Sequence, residues 1–121
     1  MRLHHTRSGA SSQAEESRSL EENRKRAVRR LRERIALSVR LPFDLDSPHS
    51  PPEFIAHRGP GGTLSVNPRN LAYPIIVAVV LDALASAGRS YAPAARALGL
   101  TTSQLMRFLR ADRELWRSIN T

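Results

Sequence analysis

At 121 residues, with 40% hydrophobic side chains and a formal charge of +8, the chain has room for one small core plus an arm and not for two full-sized domains. The absence of cysteine excludes disulfides, thiolate nucleophiles and cysteine-based zinc sites, and suits a cytoplasmic location. The charge is uneven, +6 over residues 1–40, −1 over 41–90 and +3 over 91–121, and two basic ends around a neutral middle point to nucleic acid or another anionic surface.

The N-terminal MRLHHTRSGASSQ lacks the apolar core of a signal peptide. Arg2 to His5 and Ala10 to Gln13 read as weak strands around an Arg7-Ser8-Gly9 turn. A lone hairpin is marginal in water, so an ordered one should lie against a helix or pair with further strands. Ser19 with Glu22 three residues on is a capping box that opens a helix running to about Arg40. Leu20, Ala27, Val28, Leu31, Ile35 and Val39 make a narrow apolar stripe along it, and Pro42 marks its stop.

Within that helix Arg24, Lys25, Arg26, Arg29, Arg30, Arg32 and Arg34 crowd into three turns, offset in part by Glu21, Glu22 and Glu33. Like charges so placed repel one another unless a polyanion lies close, and guanidinium forks suit phosphate oxygens. These seven residues, with Arg18, are the expected RNA-phosphate contacts.

Residues 41–70 hold six prolines together with Gly59, Gly61 and Gly62, and read as a linker or an irregular wrap. From Ile75 through Ala85 the pattern predicts a helix with Gly88 beyond its end, and the uncharged run from Asn70 to Leu81 is too short to span a bilayer. No membrane role is expected. The remaining segment predicts two short helices and a tail. Pro93 fits a first turn, Gly99 a sharp exit and Thr101 or Thr102 a cap, with Ala94, Ala95, Leu98, Leu100, Leu105, Phe108 and Leu109 packing inward and Leu115 and Trp116 closing the face. With the preceding helix this is a tri-helical, helix-turn-helix-like unit, whose second helix offers Ser103, Gln104, Arg107 and Arg110 as a possible recognition surface. The expected fold class is therefore mainly α with a short N-terminal β-hairpin (α+β), divided as 1–40, 41–70 and 71–121.

No metal site or cofactor is expected. Adjacent His4 and His5 point to opposite faces of a strand, and His49 and His57 lie in the proline-rich stretch without paired ligands. No Gly-x-Ser-x-Gly elbow is present, and no histidine is placed to activate a hydroxyl.

The order of features in HHTRSGASSQAEESRSLEENRKRAVRRLRERI resembles the segment of bacterial class I peptide chain release factors, and of related ribosome-rescue hydrolases, that follows their catalytic loop. In that family a strand and a short Ser/Thr-Gly turn lead to a second strand, then to an Arg-Ser, a downstream Asn and a basic helix. Leu3 to His5, Ser8-Gly9, Arg18-Ser19, Asn23 and the arginine run occupy those places here. The likeness covers residues 2–40; the terminal AARALGLTTSQLMRFLR is more weakly similar to an extension of some release-factor-like proteins.

A monomer is expected, because no clear dimerisation helix is visible, and the resemblance implies binding to ribosomal RNA of the large subunit, with peptidyl-tRNA as a further partner. It also implies hydrolysis of the peptidyl-tRNA ester by a Gly-Gly-Gln loop lying upstream of the first strand. That loop is absent from the sequence: Gly61-Gly62 is followed by Thr63 and comes after the basic helix, and Gln13 follows Ser11-Ser12 rather than glycines. The chain as written is expected to have no catalytic residue and no hydrolase activity. Either Met1 is an internal methionine of a longer product, the favoured explanation because the hairpin lacks pairing strands, or the gene is a remnant that keeps the RNA-binding part. The rival reading is a DNA-binding regulator that uses residues 93–110 as a helix-turn-helix.

Overall fold

The computed structural model describes the backbone of residues 2–4 and 11–13 and all of residues 20–120. These fall into two compact units, 1–39 and 40–121. The fold is mainly helical with small antiparallel hairpins, the class the hydrophobic periodicity predicts.

In the first unit β1 (Arg2–His4) pairs antiparallel with β2 (Ser11–Gln13), with Leu3 opposite Ser12. Both described strands fall within the expected hairpin, and residues 5–10, which include the ends of the expected strands and the turn, lie outside the described residues. Helix α1 (Leu20–Ser38) packs along both strands, which resolves how so small a hairpin is covered. Ala27 and Ala36 are its buried positions, while Leu20, expected in the apolar stripe, is exposed. The helix ends two residues short of Arg40, with Val39 still donating its amide to Ile35. The Ser19 half of the capping box lies outside the described residues.

Residues 41–70, expected as a linker or an irregular wrap, fall within the second unit and hold short elements of their own. Arg40 to Phe43 is an irregular strap held along α3 (Tyr73–Ser86): Asp82 accepts hydrogen bonds from the Arg40 guanidinium and the Leu41 amide, and Ser86 Oγ accepts one from the Phe43 amide. Pro51 and Pro52 then begin a short helix, α2 (Pro52–His57), instead of preventing one. At the first helical position the missing proline N–H has no intrahelical partner to lose, and the Pro51 carbonyl accepts the Phe54 and Ile55 amides. Phe54 is fully buried. A second hairpin, β3 (Arg58–Gly59) with β4 (Thr63–Leu64), turns through a single 3₁₀ turn at Pro60–Gly62.

Helix α3 is buried on most sides, as its nearly uninterrupted apolar run requires, and runs from Tyr73 to Ser86, starting two residues before Ile75 and ending ahead of Gly88 as the pattern predicts. Asn70 prepares its start by accepting the Ala72 and Tyr73 amides through its side-chain and backbone oxygens. Helices α4 (Tyr91–Leu98) and α5 (Thr102–Ala111) follow, joined by a tight turn in which Gly99 takes the left-handed conformation expected of a sharp exit. Of the two candidate caps, Thr101 acts: its hydroxyl accepts the Gln104 amide. The expected tail is a further helix, α6 (Arg113–Ile119), capped by Asp112 through the Leu115 amide. Phe54, Ile76, Val80, Leu98, Leu105, Leu109 and Leu115 form the centre of this unit.

Candidate nucleic-acid interface

The seven cations of α1 fall into rows set by the helical period. Lys25, Arg29 and Arg32, at i, i+4 and i+7, share one face and are all exposed; Arg26, Arg30 and Arg34 form a second row at i, i+4 and i+8. Arg26 and Arg30 are half-buried, and Arg24 and Arg34 are exposed. Two acids in the first turn reach forward along the helix, Glu22 to Arg26 at 3.3 Å and Glu21 to Lys25 at 4.0 Å. The second pair is weak, since its side chains keep 77% and 82% of their surface in solvent.

Arg24, Arg29, Arg32 and Arg34 make no ion pair among the described residues. The helix dipole does not explain them either. The last turn of α1 carries no basic residue, and three of the seven cations sit in its second turn, near the end where the dipole favours anions. What remains is a guanidinium-rich surface able to hold several phosphate oxygens at once. Arg18, expected to join it, lies outside the described residues, and Asn23 of the family pattern is half-buried on α1.

In the second unit Ser103, Arg107 and Arg110 line one outward face of α5 at i, i+4 and i+7. Gln104 does not stand fully with them: it is half-buried, and its backbone amide is taken by Thr101. Leu105, Phe108 and Leu109 hold the opposite face in the core.

The turn before α5 is clamped by the second hairpin. Gly62 accepts the Thr101 amide at 3.1 Å, and Arg58 donates to the Leu98 carbonyl at 3.0 Å, closing the end of α4. Behind α5, the Tyr73 ring lies 5.9 Å from Phe108 and its hydroxyl donates to Asp112 at 2.7 Å. A feature that sequence reasoning missed is the Arg110 guanidinium over the Trp116 ring, 5.2 Å from its centroid.

His57, left without a role above, is structural: its Nδ1 meets the Glu53 carbonyl and its Nε2 the Asn70 amide group. Among the described residues no cluster of three or more His, Asp or Glu could hold a metal ion, and no helix is long and apolar enough to cross a membrane. Comparison with protein-family models, curated proteins and solved structures finds no match to this chain.

Proposed function

We propose that the chain is a release-factor-like, cytoplasmic RNA-binding protein that engages large-subunit ribosomal RNA as a monomer through the basic rows of α1, in translation termination or ribosome rescue. The observation that carries this reading is a helix whose exposed arginines have no partner among the described residues and no dipole to explain them. The family pattern across residues 2–40 supplies the ribosome as the source of the polyanion. Peptidyl-tRNA ester hydrolysis belongs only to a chain that also carries a Gly-Gly-Gln segment, which these residues do not include.

Five exposed cations, Arg24, Lys25, Arg29, Arg32 and Arg34, are available for phosphate. If all five engage, log affinity for RNA falls against log salt with a slope of about −3 to −5, according to strandedness. A slope near zero in filter binding contradicts the reading. A duplex-DNA reader is the second reading, favoured by the tight turn at Gly99 and the outward Ser103, Arg107 and Arg110 of α5. A sequence-dependent gel shift with duplex DNA, without ribosomal RNA binding, selects it instead.

A further inference from the structure

The second unit carries its own excess of positive charge, and the structure shows where the opposing acids are spent. Residues 91–121 contain five arginines and two acids. Asp112 is occupied internally, one oxygen capping α6 at Leu115 and the other accepting the Tyr73 hydroxyl. Within this segment that leaves Glu114 beside Arg96, Arg107, Arg110, Arg113 and Arg117, all of which are exposed and free of ion pairs among the described residues.

Arg110 differs from the other four. Its guanidinium is steadied by the Trp116 ring, itself half-buried between core and solvent, so less side-chain freedom is lost when it takes a ligand. An arginine held on an aromatic ring offers both a fork for phosphate and a flat face for an unpaired base. Arg107 and Ser103 continue the same face along α5 with a second cation and a hydroxyl.

Duplex DNA fits this surface less well. The amide side chain best suited to reading adenine, that of Gln104, is half-buried, which leaves two arginines and a serine on the helix face. A paired RNA helix offers no groove that α5 could enter, because its major groove is deep and narrow. Unpaired RNA satisfies both the charge and the stacking platform.

We infer that the Ser103–Arg107–Arg110 face of α5, with Trp116 beneath Arg110, is a second RNA-binding surface that takes an unpaired base and its flanking phosphates. The inference rests on the RNA reading above for the identity of the polyanion. It places one binding surface in each compact unit, so a single RNA that reaches both is held by avidity.

Trp116 is the only tryptophan, so its fluorescence reports on this surface directly in the full chain. The probes are an RNA stem-loop, the matching fully paired RNA duplex and a DNA duplex of the same sequence. The stem-loop should quench Trp116 and the duplexes should not. R107Q/R110Q should weaken stem-loop binding about 5- to 20-fold, remove the quench and flatten the salt slope by about 1.4, because two fewer phosphates are neutralised. R110K keeps the charge but not the stack, and should lose the quench and the preference for the stem-loop.

Both arginines are exposed, so an unchanged circular dichroism spectrum and melting temperature certify the fold of these variants. Unaltered stem-loop affinity in R107Q/R110Q, no quench in the wild type, R110K indistinguishable from wild type, or an effect confined to DNA would each overturn the inference. Neutralising the exposed cations of α1 separates the two claims. If only that variant loses RNA binding, the second surface is refuted and the RNA reading stands; if only the α5 variant loses it, the second surface stands and the role of α1 falls.

Discussion

Asp82 is the one buried charged residue among those described, and both members of its pair report the cost of that position. Burial raises the Asp82 pKa above its ordinary 3.8, against the pull of the Leu41 amide and Arg40; burial likewise lowers the Arg40 pKa more than Asp82 restores it. Desolvation therefore outweighs attraction at this site, as is common for partly buried pairs. A carboxyl whose folded pKa lies above its unfolded value contributes most below the unfolded pKa and loses that contribution as pH rises through the folded one. Wild type should accordingly gain in urea midpoint relative to D82N as pH is lowered from neutral through the carboxylate range. A relative loss on acidification would mean that the ionised pair is net stabilising.

A second test at this scale contrasts neighbouring glycines. Gly61 and Gly62 both have positive φ, but a Cβ at Gly61 meets nothing within 4 Å, whereas one at Gly62 would lie 2.8 Å from the Thr101 backbone nitrogen. G61A should cost about 1 kcal/mol for conformation alone, and G62A clearly more, since the hairpin must also release its hydrogen bond to Thr101. Equal losses by chemical denaturation would show that this clamp adds little.

At the scale of elements, the caps decide where the terminal helices begin. T101A should destabilise by about 1 kcal/mol, the usual worth of an N-cap hydroxyl. D112A removes both the α6 cap and the acceptor for Tyr73, and should cost about 2 kcal/mol, with Y73F accounting for roughly half. Urea unfolding of the three variants checks this partition.

These caps also show how far the helices are legible from sequence. Gly99 and Thr101 punctuate an apolar pattern of helical period, so α4 and α5 can be read, as can α1 and α3. Helix α6 escapes such a reading because it restarts directly after α5, and its only signal is Asp112 three residues before Leu115. Helix α2 and the second hairpin are hidden for another reason. Proline and glycine weaken isolated structure, and their order here comes from non-local partners: Phe54 in the core, Arg58 on Leu98 and Gly62 on Thr101. One sequence read alone does not display those pairings.

At the scale of the whole molecule, each unit couples a packed interior to a basic exterior. The α1 surface is visible in composition, because seven cations in three turns need no tertiary information. The Arg110–Trp116 platform is not, since it joins residues of two helices whose capping must first be known. Asp82 and Asp112 serve internal hydrogen bonds, while most of the other described acids and most arginines face outward, where the arginines are in excess. Such a distribution suits binding to a polyanion and does little for the stability of the fold.

Sedimentation of the full chain with purified large ribosomal subunits puts the polyanion reading to the test, comparing wild type with a variant in which Arg24, Lys25, Arg29, Arg32 and Arg34 are all glutamine. Wild type should pellet with the subunits at low salt and dissociate as salt is raised, and the variant should stay in the supernatant while keeping its helical spectrum. A folded variant that pellets as fully as wild type contradicts the reading.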